Sequence, residues 1–415
     1  MDGPRVDRLD IGELLDEVEA AAPVDSVPVV AARLAEMVGA REVNLLIADF
    51  SGRAVVRLTS IDRVDGARNR GSEQAETLPL AGTVYDRVLR TQRADVQPVD
   101  DGARMVVPVT DRGDAIGLLE LILPGIPSAQ EAADIGSAAH ALAYILIAAR
   151  RHTDVFEWGM RSTPFSLAAE IQRRLLPAAF TCEAGQFTLA GWLEPAHAVG
   201  GDTFDYTLDR GALQVSITDA VGHNVAASLL ATLLVGSLRN GRRRGFDLAK
   251  QARYANDCLV ENAPPGQFVT GQLVRLDLLT GTAGIVNAGH TLPLRLLKSV
   301  VEEVELRVEV PFGVLPGKTF QVQPLSLEPG DRIVFLTDGM LERNAASLDV
   351  AAALADTAEL HPREVVHALG AAVLHATGGD LRDDATMVCL DWYGGPPRGR
   401  NAEQGADPDH ASPSA

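Results

Sequence analysis

The spacing of apolar residues divides the chain into an α/β segment, a helical stretch and a strand-rich segment. In the first segment, helical spacing over 27–38 precedes the strand-like alternation of 41–50, and a further helix and several strands follow. This pattern predicts an α/β domain over residues 10–127. A long helical pattern starts next, where Ser128 and Glu131 have the spacing of a capping box.

Helical spacing dominates residues 128–176 and is interrupted only at Pro164. The stretch contains no Gly/Ser-rich linker, so we expect a helical connector between two domains. Its apolar faces can pack on either neighbouring domain or on a second copy of the chain, and both arrangements remain open. We expect the first domain to control the second through this connector, within a homodimer.

Residues 177–393 combine many short strands with a few helical segments. The helix predicted over 225–240 is apolar nearly all round, which is typical of a helix buried between layers. Strands and helices do not alternate regularly, so the order favours an α/β (α+β) sandwich of mixed or antiparallel sheets over βαβ repeats. The composition of residues 394–415 predicts a disordered tail.

Composition and charge restrict the partners and the compartment. The net charge of −19 opposes binding to nucleic acid and to anionic membranes. Cys182, Cys258 and Cys389 lie far apart, which fits a reducing cytosol and excludes a cysteine zinc site. The start of the chain has no signal-peptide pattern, and the apolar run 138–149 is shorter than the roughly 20 residues of a membrane span. We therefore predict a cytoplasmic protein without a membrane partner.

Four short acidic motifs stand at the ends of predicted strands, beside glycine-containing loops or turns. Their aspartates are Asp202 in VGGD, Asp219 in TDAVGH, Asp338 in TDG, and Asp383 with Asp384 in RDDAT. Each motif alone is most often a plain turn or a solvated charge run. Together they predict carboxylates at one rim, where like charges oppose ionisation and divalent cations offset this. Oxygen ligands without thiolates favour Mg²⁺ or Mn²⁺, and a pair of such ions can hold a hydroxide and a phosphoryl group.

These motifs make residues 172–390 similar to the PPM phosphatases, in particular to the SpoIIE-like branch of bacterial sporulation and stress-response regulators. The matching segments follow the family's order and are IQRRLLP (171–177), VGGDTFDY (199–206), ITDAVGHNVAAS (217–228), NAGHTLPL (287–294), PFGVLPG (311–317), LEPGDRIVFLTDGMLE (327–342) and DDATMV (383–388). The resemblance implies an αββα sandwich and a catalytic centre with two Mn²⁺ or Mg²⁺ ions. Less specifically, the first half resembles a GAF domain, although a PAS-like domain would give a similar pattern.

The resemblance also implies roles for the aspartates. Asp219 would bridge both metal ions, and the backbone carbonyl of Ala220 would bind one of them. Asp338 and Asp383 would complete the first ion, while Asp202 would serve the second directly or through water. These four aspartates are the predicted catalytic residues.

Several positions qualify the resemblance. Asp384 is the less favoured metal ligand of its adjacent pair. His223 is followed by Asn224 rather than by the usual glycine, and Val221 stands where eukaryotic relatives have a histidine. No general acid is therefore assigned, and His223 or a metal-bound water remains a candidate. His290 in NAGH is more often a hydrogen-bonded structural residue than a catalyst.

The resemblance implies hydrolysis of phosphoserine or phosphothreonine on a small regulatory protein. In this branch the usual substrate is a phosphorylated anti-sigma-factor antagonist of the STAS type, which acts in partner switching of transcription. A catalytically silent module that binds a phosphoprotein is the alternative. A nucleotide-hydrolysing sensor is disfavoured because the chain lacks a G-x-x-x-x-G-K-[ST] loop. The basic run 242–244 is either a solvated helix end or a docking site for a phosphopeptide.

Overall fold

The chain forms two compact units. Residues up to 164 together with 401–415 belong to the first unit, and residues 165–400 belong to the second. The computed structural model describes residues 9–59, 74–160, 166–196, 200–222, 224–341, 348–379, 381–396 and 399–413. His223 and Pro164 lie outside these described residues.

The first unit contains a six-stranded sheet with helices on both faces. Its elements are α1 (Ile11–Ala20), α2 (Ser26–Val38), β1 (Glu42–Ala48), β2 (Ala54–Thr59), β3 (Gln74–Pro79), α3 (Val84–Thr91), β4 (Asp95–Val99), β5 (Gly102–Asp111), β6 (Asp114–Leu123), α4 (Ala129–Ala149) and α5 (Val155–Gly159). Neighbouring strands are antiparallel, in the order β3-β2-β1-β6-β5-β4. The predicted capping box at Ser128 and Glu131 is present at the start of α4.

Helix α4 is the most apolar long helix among the described residues. Its length and composition alone would allow it to cross a membrane, a test that the core helix of a soluble domain also passes. In this structure Ile135, Leu142 and Leu146 are buried in one cluster with Leu14 of α1 and Leu34 of α2. The buried side of α4 therefore belongs to the core of the first unit.

The second unit is a sandwich of two antiparallel sheets. Its elements are α6 (Leu167–Leu175), β7 (Thr181–Ala184), β8 (Phe187–Glu194), β9 (Asp202–Leu208), β10 (Ala212–Ala220), α7 (Asn224–Arg243), α8 (Leu248–Asn262), β11 (Val269–Asp277), β12 (Thr282–Ala288), β13 (Leu294–Leu297), β14 (Val300–Glu303), β15 (Gln323–Ser326), β16 (Asp331–Leu336), α9 (Val350–Ala355), α10 (Pro362–Ala376) and β17 (Ala385–Trp392). The sheet orders are β15-β12-β11-β10-β9 and β14-β13-β16-β17-β8-β7.

Large apolar side chains fill the space between these two sheets. Phe187 and Phe335 from one sheet meet Phe204 and Leu213 from the other in a single buried cluster. Helices α7 and α8 pack on the outer face of the first sheet, and α9 and α10 pack on that of the second. The structure thus confirms the predicted α/β sandwich with antiparallel sheets.

Helix α7 lies in an outer layer, so the prediction that it is buried between layers was wrong. Leu230, Leu234 and Leu238 face the sheet and are buried. On the opposite side, Leu229 is 54% exposed and Leu233 is 36% exposed. An apolar composition cannot show how many sides of a helix are covered, because coverage depends on the neighbouring layers.

The segment predicted to be a disordered tail packs on the first unit over its described part. The backbone carbonyl of Gly405 accepts a hydrogen bond of 3.0 Å from the amide of Gly113, in the turn between β5 and β6. Ala406 and Ser412 are buried. The contacts use backbone groups, small side chains and the polar side chain of Gln404, which lies against Gly136 of α4, so no apolar run in the sequence indicates them.

Gly405 provides a test of this packing. Its φ of +99° is unfavourable for other residues, and a Cβ atom there would lie 2.0 Å from the carbonyl oxygen of Thr110. We expect Gly405→Ala to lower the free energy of unfolding of the first unit by about 2 kcal/mol. Gly399→Ala is the matched control, because no heavy atom lies within 4 Å of its added Cβ. Equal urea unfolding curves for both variants would contradict the packing of residues 401–413.

Candidate active site

The predicted aspartates lie at one end of the sandwich because antiparallel pairing brings distant parts of the chain together. Asp202 begins β9 and stands opposite Asp219, the last residue but one of β10. Asp338 follows β16, and Asp383 and Asp384 precede β17, its antiparallel neighbour. Each of the two sheets therefore contributes carboxyl groups from a pair of adjacent strands.

The carboxyl groups are close enough to oppose one another's ionisation. Burial and then the charges of Asp338, Asp383 and Asp384 raise the pKa of Asp219 to about 7, although a hydrogen bond with Asp202 acts against this. The pKa of Asp202 is raised well above its usual value, by burial first and then by the charges of Asp219 and Asp384. All five predicted side chains thus interact electrostatically, and together they form the acidic cluster.

The cluster has an open side and a closed side. Asp338 is exposed and Asp383 is half-buried, whereas Asp202 and Asp384 are buried. Burial raises the pKa of Asp383, the amide of Asp384 lowers it by a hydrogen bond of 2.9 Å, and the charge of Asp338 raises it again. The cluster is therefore accessible to a ligand from the side of Asp338 and Asp383.

Asp384 anchors the loop in front of β9. Its Oδ1 accepts a hydrogen bond of 2.8 Å from the amide of Ala196, and its Oδ2 accepts one of 3.2 Å from the amide of Gly201. The side chain of Gln172 donates to the same Oδ2 at 2.6 Å. Burial raises the pKa of Asp384 to about 6 against these hydrogen bonds. A cation would have to compete with several donors for its oxygens, so the structure favours a positioning role for Asp384.

Two further residues position the carboxylates, and the sequence prediction missed both. Gln172 of α6 is 1% exposed, and its side chain donates to the carbonyl of Asp202 at 2.8 Å as well as to Asp384. Thr337 donates its hydroxyl to Oδ2 of Asp202 at 2.7 Å. A signal for Gln172 exists in the sequence, since it is the polar residue on the buried face that carries Leu175.

Replacing Gln172 should therefore weaken the site. Gln172→Leu leaves the Asp202 carbonyl and one oxygen of Asp384 without this donor, so we expect the second unit to lose about 1–3 kcal/mol of unfolding free energy. We also expect slower catalysis. Gln321→Leu, at an exposed glutamine of the same unit, is the control and should change stability by less than about 0.5 kcal/mol. Equal urea midpoints for the two variants would refute the positioning role.

The paired glycines before Asp202 permit a close approach of backbone segments. A Cβ atom on Gly201 would lie 2.5 Å from the carbonyl oxygen of Ala220, the predicted backbone ligand. The amide of Ala220 donates in turn to the carbonyl of Gly201 at 3.2 Å. A Cβ atom on Gly200 would lie 2.5 Å from Oγ of Ser228. This motif is therefore a packing contact between the two strand ends rather than a plain turn.

His290 lies beside the site in a structural role. Its Nδ1 is 2.8 Å from the hydroxyl of Thr270, which stands opposite Asp219 in the register of β10 and β11. Its backbone amide donates to the side chain of Asn287 at 2.8 Å. Burial lowers the pKa of His290 to about 4, so the ring is neutral at physiological pH. These contacts fit the hydrogen-bonded structural residue that the sequence favoured.

The donors suit a hard divalent cation. They are carboxylates and a backbone carbonyl, without thiolates. The raised pKa values of Asp202, Asp219 and Asp383 mean that these carboxylates would gain from a positive charge nearby. Among the described residues, however, no three His, Cys, Asp or Glu side chains form a ready ligand cage. The structure thus supports the chemistry of the predicted centre and leaves its ligand geometry a prediction.

The second unit is similar in sequence to known proteins. Residues 209–393 match the family model of stage II sporulation protein E (SpoIIE). Protein IcfG of Synechocystis sp. is 24% identical over 213 residues, a match that covers 44% of this chain and 33% of that protein. Phosphoserine phosphatase RsbP of Bacillus subtilis is 21% identical over 185 residues, 43% of this chain and 45% of that protein. The chain thus spans less than half the length of these two relatives.

A third relative and two solved structures give similar matches. Phosphoserine phosphatase RsbU of Bacillus subtilis is 20% identical over 234 residues, 54% of this chain and 68% of that protein. The RsbU and RsbW domains of a Mycobacterium tuberculosis protein align with a TM-score of 0.45 at 24% identity, covering 51% of this chain and 62% of theirs. The SiaA-PP2C domain of Pseudomonas aeruginosa aligns with a TM-score of 0.45 at 20% identity, covering 54% of this chain and 93% of its own.

Proposed function

Residues 209–393 match the family model of SpoIIE, and from this match we propose that the chain is a Mn²⁺- or Mg²⁺-dependent protein phosphatase. It hydrolyses phosphoserine or phosphothreonine on a small regulatory protein. The observation that carries the proposal is the convergence of five aspartates at one end of the sandwich, where burial and mutual charges raise the pKa values of Asp202, Asp219 and Asp383. Such a cluster is costly to maintain unless cations use it.

The proposed substrate is a phosphorylated anti-sigma-factor antagonist of the STAS type, which places the protein in partner switching of transcription. Two relatives, RsbU and RsbP, are named phosphoserine phosphatases. This supports a phosphorylated serine on a protein as the group that is hydrolysed. The proposed compartment is the cytoplasm, where such a substrate and a reducing environment are found together.

Each residue of the cluster has a defined task in this proposal. Asp219, Asp338 and Asp383 would hold one cation, and Asp219 with Asp202, directly or through water, would hold the other. The Ala220 carbonyl would serve one of the two. When bound, the two cations supply a hydroxide nucleophile and offset the charge of the phosphoryl oxygens.

The residues around the ligands fix their orientation. Thr337 fixes the carboxylate of Asp202 by its hydrogen bond. Asp384 and Gln172 hold Gly201 and the start of β9, where Asp202 lies, so they act on the ligands and not on the substrate.

A catalytically silent phosphoprotein-binding module is the second candidate function. One observation favours it, namely that no three acidic, histidine or cysteine side chains among the described residues form a ready cation cage. In such a module the same cleft would bind the phosphorylated protein without releasing phosphate.

Phosphate release from a serine-phosphorylated STAS-domain antagonist distinguishes the two functions. We expect release with Mn²⁺ or Mg²⁺, loss of release with excess chelator, and recovery when the cation is restored. Calorimetry should detect two divalent sites on the full chain. Binding of the phosphoprotein without any phosphate release under these conditions would instead support the silent module.

A further inference from the structure

The outward face of α7 is an exposed stripe that changes character along its length. Leu229, Leu233, Gly236, Asn240 and Arg243 follow one another at spacings of three or four residues, so they lie on one side of the helix. All five are exposed, and no heavy atom lies within 4 Å of a Cβ atom added at Gly236. The stripe is apolar in its first half and ends in a cation.

The apolar half of the stripe starts beside the acidic cluster. The hydroxyl of Ser228 donates to the carbonyl of Gly200 at 2.8 Å, which places the first turns of α7 against the backbone just before Asp202. With a rise of 1.5 Å per residue, Arg243 lies about 22 Å further along the helix axis. Small protein domains are roughly 30 Å across. A small protein with one residue at the acidic cluster would therefore also reach the far end of α7.

The far end of α7 and the start of α8 form a cationic surface. Residues 239–253 contain six of the 37 basic residues of the chain and only one of its 56 acidic residues. Arg239, at 3.0 Å, and Arg242 form ion pairs with the buried carboxylate of Asp205 and are not available to a partner. Arg253 is exposed but lies 3.6 Å from the carboxylate of Asp257, one turn further along α8. The other three basic side chains are exposed and define the cationic end of the surface: Arg243, Arg244 and Lys250.

Aromatic rings hold two of these cations in place. The guanidinium of Arg244 lies 4.6 Å from the ring centre of Phe246, and the ammonium of Lys250 lies 4.3 Å from the same ring centre. Cation–π contacts reduce the conformational freedom of such long side chains before any partner binds. The surface is therefore better ordered than a run of free arginines on a helix end.

The charge of this surface is opposite to that of the chain as a whole. With a net charge of −19, the protein repels an acidic partner in general and attracts it locally at the cationic end. The same net charge opposes the pairing of two copies through this face. An acidic partner would thus arrive in one orientation, with the apolar half of the stripe directing it towards the acidic cluster.

We propose that the outward face of α7 and its cationic end form the docking surface for the protein substrate. The partner is a small folded phosphoprotein that presents an acidic patch about 20–30 Å from its phosphorylated serine. This inference rests on the proposed function and adds how the substrate is selected. Specificity would then lie outside the acidic cluster, which contacts only the phosphoryl group.

Neutralising the exposed cations separates docking from chemistry. The test variant is the double substitution Arg243→Gln and Arg244→Gln, and the control is Arg210→Gln, an exposed arginine in the turn between β9 and β10. The two substrates are a serine-phosphorylated STAS-domain antagonist and para-nitrophenyl phosphate. At low salt we expect KM for the phosphoprotein to rise about tenfold in the double variant, with kcat unchanged. Turnover of para-nitrophenyl phosphate should stay the same, and the control should match the parent on both substrates.

A second variant tests the apolar half of the stripe. Leu233→Ser should also raise KM for the phosphoprotein without changing turnover of the small substrate. Raising the salt concentration should reduce the effect of the double substitution at Arg243 and Arg244, because that effect is electrostatic. The effect of Leu233→Ser should not change with salt. Thermal melting checks that both variants fold.

Several outcomes would overturn the docking surface. These are an unchanged KM in both variants, an equal loss on both substrates, or a dimer of the parent chain that Leu233→Ser dissociates. If the parent hydrolyses neither substrate, the proposed function fails, and calorimetric binding of the phosphoprotein then decides the docking separately. Weaker binding by the double variant at Arg243 and Arg244 than by the parent would support the docking surface. Equal binding by the two proteins, or no binding by the parent, would refute it.

Discussion

Asp219→Asn should lower cation-dependent phosphate release by at least about a thousandfold. Asp219 is the only predicted ligand shared by both cations, and a bound divalent ion contributes several kcal/mol to the stabilisation of the transition state. Asparagine keeps the size of the side chain and can donate a hydrogen bond to Asp202, the present partner of Asp219. The variant therefore removes a charge and leaves the packing intact. Initial rates of phosphate release with saturating Mn²⁺ measure the effect.

The same substitution should stabilise the chain when divalent cations are removed. Because the folded state raises the pKa of Asp219 to about 7, from roughly 3.9 in the unfolded chain, folding favours the protonated carboxyl. Its contribution to stability is therefore lost as pH rises from about 4 to about 7. The asparagine side chain does not titrate, so the stability of the variant should exceed that of the parent by at most about 4 kcal/mol at pH 8, and by less at pH 5.

Melting in the presence of chelator at pH 5 and pH 8 checks this difference. Asp356→Asn, at an exposed aspartate of the same unit, should leave both the rate and the melting temperature near those of the parent. Added Mn²⁺ should stabilise the parent more than the Asp219 variant. An Asp219→Asn variant that keeps the parental rate would exclude the proposed metal mechanism.

Gly339→Ala should disrupt the acidic cluster through the backbone. A Cβ atom at this position would lie 2.0 Å from the carbonyl oxygen of Asp384, so the turn after β16 must move away from the start of β17. This movement separates Asp338 from Asp383. We expect the second unit to lose about 1–3 kcal/mol of unfolding free energy and most of its activity, because overpacking against a rigid backbone cannot relax without such a shift.

Gly211→Ala is the matched control for this substitution. Gly211 lies in the turn between β9 and β10, and no heavy atom stands within 4 Å of its added Cβ. Urea unfolding and phosphate release should be close to those of the parent. If Gly339→Ala and Gly211→Ala gave the same stability and rate, the close approach of the two strand ends would be disproved.

The order of elements in the second unit could be predicted well because the relevant signals are local. Alternating apolar residues indicate strands, and each of the acidic motifs stands at one end of a strand, either just before it or just after it. Antiparallel pairing brings the start of one strand beside the end of its neighbour, so Asp202 at the start of β9 meets Asp219 near the end of β10. The capping box at Ser128 is local in the same sense.

The errors of prediction concern contacts between segments that are distant in the sequence. The apolar composition of α7 suggested complete burial, whereas Leu229 and Leu233 face outward. The composition of the last segment suggested disorder, yet Gly405 makes a backbone hydrogen bond to Gly113. Neither feature has a local signal. Every residue has a backbone carbonyl, and the residues of a helix do not show which of its sides another layer covers.

The sequence alone determined that the second unit is rich in strands and that aspartates stand at the strand ends. Hydrophobic periodicity and turn chemistry depend on neighbouring residues, so both can be seen in the sequence. Only the tertiary structure decided which groups surround those aspartates. Gln172 and Asp384 are 212 residues apart and share a buried hydrogen bond, and the pKa of Asp219 depends on charges more than a hundred positions away. Burial and electrostatic repulsion act through space, so their effects appear only when the chain is folded.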